Sequence, residues 1–280
     1  MAWLLDPYEY EFFREGVAVA SLAGALCGLV GAFVVLKRMS YLGHGLSHAV
    51  FGGYATSTLL GLNLVVGAGT WGVASALLVT AIARRRTVGA DAAIGVVTTA
   101  SFALGLALLA AHGRRGRNVD AALFGSILGV ETADVVGVSV VLAAVAAVVF
   151  AGYRPLLFTT FDPAVAGASG VRTGVVDAAL MVALSASILA AMQVLGVTLV
   201  AAAVVIPPSA ARLLTNSFSH LLWLSVAIGT LSGLVGMNAS YHLDIPSGPA
   251  ITLTAAGVFA LAYAATAARR PARRAVPPGR

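Results

Sequence analysis

The chain has 280 residues, of which 59% are hydrophobic and only 10% charged, with a formal net charge of +6. Soluble globular proteins carry roughly 25% charged residues, so a wholly water-facing surface is excluded. The positive charge sits in short arginine clusters between apolar runs, as cytoplasmic loops of membrane proteins require, and this argues against nucleic-acid binding.

A bilayer span needs about 20 mostly apolar residues. The first fifteen residues are acidic, with Asp6, Glu9, Glu11 and Glu15 against Arg14. That is the wrong sign for the start of a secretory signal, so the first apolar run, 16–36, is expected to remain in the mature protein. The single cysteine, Cys27, lies in that run and reads as a small packing residue. Further spans are predicted over 44–66, 68–83, 92–111, 133–151, 175–195, 197–214, 220–240 and 248–267, nine in all. The pairs 44–66 with 68–83 and 175–195 with 197–214 are so close that a broken or re-entrant helix can replace one span, which leaves eight. The expected fold is therefore all-α, a polytopic integral membrane protein with 8–9 transmembrane helices and one domain over 1–268. Abundant glycine, 31 residues, suits helices that approach closely in lipid.

With the N-terminus outside, Lys37, Arg38, Arg84, Arg85, Arg86, Arg154, Arg172, Arg212 and the tail arginines fall inside. Only Arg14, Arg114, Arg115 and Arg117 fall outside, and this bias sets the orientation. The run AALFGSILGV, 121–130, is apolar but too short to span, and is expected to lie in the interface or re-enter the membrane. In 155–174, Asp162 can cap a helix whose first position suits Pro163, and Gly170 can close it in a left-handed turn. A short cytoplasmic helix is predicted there. The tail 269–280, RRPARRAVPPGR, cannot build a core and is expected to be a disordered cytoplasmic end.

The strongest chemical signal is KRMSYLGHGLSHAVFGGY, 37–54. His44 and His48 are four residues apart and so share one face of a helix. Histidine inside a membrane segment is costly and marks a functional site by default. Neutral imidazole is a ligand for zinc and other first-row transition metals. The plainer alternative is that each histidine bonds a neighbouring helix. In MNASYHLDIPSGPA, 237–250, His242 and Asp244 are candidate ligands at an outer entrance, against a plainer reading as solvated loop residues. No G-x-x-x-x-G-K-[ST] phosphate loop is present, so ATP hydrolysis is not expected on this chain. The histidine spacing is that of a zinc-protease helix, but glycine stands where H-E-x-x-H has its general base.

Several of these stretches resemble the ABC-type zinc/manganese/iron permease family. LKRMSYLGHGLSHAVFGG is similar to its first signature, DAAIGVVTTASFALGLALL (91–109) to a second and LFGSILGV (123–130) to a third. FDPAVAGASGV (161–171) resembles its cytoplasmic coupling region, GVTLVAAAVVIPPSAARLLT (196–215) an apolar helix, and SYHLDIPSGPAI (240–251) its last loop. The matches run in the family's order from about residue 16 to 267. The resemblance implies an ABC-importer permease in the cell membrane: a homodimer working with a cytoplasmic ATPase subunit, which holds the ATP, and an extracytoplasmic metal-binding protein. The divalent metal is then substrate, and no cofactor is bound permanently. Asp162, Pro163 and Gly170 would serve ATPase coupling. The family's helix usually reads G-D-A-x-S-H, its aspartate and histidine contacting the metal in transit. His48 is retained, but His44 stands at the aspartate position, and two imidazoles lean towards zinc over manganese by ligand softness. The remaining readings are a permease for a metal chelate or other small solute, an intramembrane metal-dependent enzyme, and a secondary transporter. The last needs membrane acids, yet the predicted spans hold very few, Asp134 and Asp177, both near their ends.

Overall fold

The computed structural model describes residues 6–83, 89–111, 123–126 and 130–268. The expectations for Arg84, Arg85, Arg86, Arg114, Arg115, Arg117 and the tail 269–280 lie outside them. A 3-10 turn over Asp6–Glu9 precedes α1 (Glu11–Leu36), α2 (Ser40–Leu60), α3 (Leu64–Ala83) and α4 (Ala90–Ala111). After a break come α5 (Thr132–Ala151), two short helices α6 (Tyr153–Phe161) and α7 (Pro163–Ala168), then α8 (Thr173–Leu195), α9 (Val197–Leu214), α10 (Phe218–Leu243) and α11 (Ser247–Ala268). Among the described residues, eight helices are long and apolar enough to cross a membrane. The remaining long helix is α2, whose two histidines, serines and threonines make it more polar than the rest.

The expected 44–66 segment ends earlier and starts earlier than its hydropathy indicates. Gly61 takes the left-handed conformation (φ 67°) and terminates α2. The Asn63 side chain then accepts from the Val65 and Val66 N–H groups, at 3.0 and 3.2 Å, and starts α3. Leu62 to Val66 are mostly apolar, but these two local signals turn the chain within the run. The 155–174 stretch likewise holds two helices in place of one, because Pro155 sits in the first turn of α6, where a missing N–H is harmless.

At the centre stands α1, with 78% of its apolar stretch buried, against 17% for α5. It packs on α5, α8, α9 and α10. Its glycines decide this position. A methyl group on Gly24 would run into the Gly229 carbonyl of α10, and one on Gly229 into the Gly24 carbonyl. Gly28 meets the backbone of Ser225 in the same way, and the Ser225 hydroxyl donates to the Gly28 carbonyl at 2.7 Å. Lipid tails are as apolar as leucine, so helices in a bilayer gain most from close van der Waals contact and such hydrogen bonds. These pairings also make α1 and α10 antiparallel.

Residues 123–126 dock against the reversal between α8 and α9, which turns on Gly196 alone (φ 74°). The Ser126 N–H donates to the Gln193 carbonyl at 3.0 Å, and the Thr198 hydroxyl to the Leu123 carbonyl at 2.6 Å. Gly125, also at positive φ, touches the Val194 backbone where no side chain would fit. Non-helical backbone inside a membrane protein needs protein groups to satisfy its polar atoms, and these bonds do so for Ser126 and Leu123.

Candidate functional site: the open face of α2

The corner between α1 and α2 positions the histidines. Lys37, Arg38 and Met39 turn the chain, with Arg38 in the left-handed region (φ 57°). That conformation costs a non-glycine residue about 1 kcal/mol. Arg38 and Met39 donate back to the Val35 and Val34 carbonyls at 3.0 and 2.9 Å, which holds it. The Lys37 ammonium reaches across to Asp177 in the first turns of α8, at 2.6 Å. This ion pair therefore ties the start of the histidine helix to the chain just after α7.

On α2, successive residues point about 100° apart. Gly43 lies against Val204 of α9, and Gly45 against Ile94 and Thr98 of α4. His44, between them in sequence, faces the gap between α9 and α4 and is exposed. His48 is half-buried one turn further on. The two imidazole rings are 4.5 Å apart between centroids, and His48 stacks on Phe102 of α4 at the same separation. Tyr41 continues the stripe 6.3 Å from His44. Behind the stripe, Gly53 lets α3 close in on α2 at Trp71, whose indole donates to Ser101 of α4 at 2.6 Å. The back of α2 is thus locked between α3 and α4, and the histidine face is left open. Two adjacent imidazoles can hold one transition-metal ion. Among the described residues no third His, Cys, Asp or Glu joins them, so further ligands come from water, backbone or another chain.

The structure separates the other predicted residues from this pair. Because α1 and α10 are antiparallel, His242 and Asp244 at the end of α10 lie at the opposite end of the bundle from His44. Asp244 acts locally, ending α10 in the left-handed conformation (φ 53°) with its N–H bonded to the Ser240 carbonyl. Asp162, Pro163 and Gly170 stand together around α7. The Asp162 carboxylate accepts from Val165 N–H at 2.9 Å, Pro163 opens the helix, and Gly170 (φ 87°) turns the chain after it. Sequence reasoning missed Phe102 and the Lys37–Asp177 pair. A signal for the pair existed, since Lys37 is the only lysine and Asp177 one of two acids inside the predicted spans.

Residues 9–266 match the family model described as ABC 3 transport family. The chain belongs to that family. It is 36% identical over 262 residues to the manganese transport system membrane protein MntC of Halalkalibacterium halodurans, covering 91% of this chain and 87% of that one. It is 32% identical to a probable iron transport system membrane protein of Haemophilus influenzae, covering 94% and 96%. The fold superposes on a chain of the structure described as PsaBC from Streptococcus pneumoniae in complex with Fab, with TM-score 0.85, 31% identity and coverage of 94% and 95%. An ABC 3 chain of this kind is a multi-pass membrane permease, which agrees with the eight apolar helices.

Proposed function

We propose that this ABC 3 permease is the membrane-spanning half of an ATP-driven importer of divalent transition metal ions, and that manganese is its first candidate substrate. The observation that carries the site is the His44–His48 pair, 4.5 Å apart on α2, with His44 exposed and His48 half-buried against Phe102 of α4. Two imidazoles suit a transported ion, because a transport site must bind weakly enough to release it. Manganese, the metal named for MntC, moves ahead of the zinc that ligand softness favours. A second copy of the chain, bringing its own pair across the open face, completes the path in this reading.

Energy enters from a separate cytoplasmic ATPase subunit docked on α6 and α7, and the ion arrives from a metal-binding protein at the end bearing His242 and Asp244. Asp162 and Gly170 hold the shape of α7, and the Lys37–Asp177 pair carries its displacement to the α1–α2 corner. The experiment is uptake of radioactive manganese and zinc by proteoliposomes holding the chain with its ATPase. ATP-dependent manganese accumulation that zinc competes away supports the proposal. Uptake that needs no ATPase, or none of either metal alone, defeats it.

A further inference from the structure

A cavity of about 500 Å³ lies at the other end of α10 from His242 and Asp244, clear of the histidine stripe and bordering α6, one of the two helices proposed to receive the ATPase. Its walls are Phe150 at the end of α5, Tyr153 and Arg154 in the first turn of α6, and Ser219, Leu222 and Trp223 in the first two turns of α10. Two spans end or begin here, so the cavity sits at the level where acyl chains give way to headgroups. It is on the same end of the bundle as Lys37, because α10 starts where α1 finishes.

Its walls are divided by polarity. Phe150 and Trp223 stack at 5.9 Å and are 48% and 59% exposed, an aromatic wall open on one side. Trp223 lies five residues inside α10, about 7.5 Å deep at 1.5 Å per residue, the depth at which tryptophan favours the membrane interface. On the outer side Arg154 is exposed and has no acidic partner among the described residues. Beside it α10 begins at Ser217, which makes no side-chain cap, so the first amides and the positive end of a 26-residue helix face the same space. A guanidinium forks well onto a phosphate, and basic pockets between transmembrane helices at this level bind anionic lipid headgroups.

We propose that this cavity is a binding site for one anionic phospholipid, its phosphate on Arg154 and its glycerol and upper acyl chain against Trp223 and Phe150. The occupant is a lipid, not free phosphate, because much of the wall is apolar, formed by Phe150, Leu222 and Trp223 on two helices of spanning length.

The test uses the permease–ATPase complex in nanodiscs of equal phosphatidylglycerol and phosphatidylcholine, released gently for native mass spectrometry. The wild-type complex retains phosphatidylglycerol in preference, and Arg154→Gln lowers that preference roughly fivefold, the worth of one basic residue near an anionic surface. Arg154→Lys keeps most of it, and so does Arg212→Gln, which removes a cation at the same end but outside the cavity. Phosphatidylglycerol with brominated acyl chains quenches a tryptophan component that Trp223→Phe removes. Equal retention by wild type and Arg154→Gln overturns the proposal. So does displacement of the lipid by millimolar inorganic phosphate. Loss of the Trp223 quenching whenever ATPase or second permease covers the cavity also overturns it, by showing a protein occupant.

Discussion

Two consecutive helices, α1 and α2, are rich in glycine and put it to opposite use. On α1, Gly24 and Gly28 point at α10 and let two backbones touch, so the helix disappears into the bundle. On α2, Gly43, Gly45 and Gly53 admit α9, α4 and α3 along the sides and back, and the fourth side is left free for His44. The difference teaches that glycine in a membrane helix marks where a neighbour comes close. Which residues stay uncovered between those contacts shows whether the helix serves stability or chemistry.

The comparison predicts unequal costs. Gly24→Leu places a side chain inside the Gly229 backbone, and overpacking of this kind costs about 3 kcal/mol or more. Size-exclusion profiles and thermal melts in detergent should show little folded protein; a normal melt would mean that the α1–α10 seam can open cheaply. His44→Ala removes an exposed ring and His48→Ala also gives up the stack on Phe102, but neither enters the α1–α10 seam. They should insert and melt like wild type and lose about tenfold or more in uptake, equivalent to ~1.4 kcal/mol. Near-normal uptake by both would reduce them to structural residues. Imidazole binds metal only when neutral, so acidification should mimic the loss. Wild-type uptake should decline as pH falls and the imidazoles take up protons, and residual uptake in the double alanine variant should not follow that profile.

Smaller effects belong to the connection between ATPase and site. Asp177→Asn leaves Lys37 without its partner, and metal-stimulated ATP hydrolysis should fall several-fold while basal hydrolysis by the assembled complex holds. Asp162→Ala removes one cap from a six-residue helix, worth about 1 kcal/mol. Its expected mark is a drop of about fivefold in stimulated hydrolysis with membrane insertion intact. Full stimulation in both variants would place coupling elsewhere on the cytoplasmic surface.

How much of this was legible follows from distance along the chain. Spans could be read because each is a local run of apolar residues, and α7 because Asp162, Pro163 and Gly170 signal within eight positions of one another. His44 and His48 share a face by helical geometry alone. What hydropathy hid was also local in one case: Gly61 and Asn63 break an apolar run that a window averages over. The rest was hidden because it is made by contacts between distant segments. Phe102 meets His48 across 54 positions, and Lys37 meets Asp177 across 140. The 123–126 segment became interpretable only with Gln193 and Thr198 beside it, although its apolar brevity already marked it as something other than a span.

The isolation of Lys37 has a practical consequence. The chain contains one lysine, so acylating reagents meet a single side-chain amine, and that amine is engaged by a carboxylate at the junction between the coupling helices and the histidine helix. An amine held in this way, with its side chain 10% exposed, is shielded and reacts slowly. If the junction opens during the transport cycle, the rate of Lys37 acylation becomes a built-in clock for that movement. It can be read by mass spectrometry in the unaltered protein, with nucleotide present or absent, without adding a label.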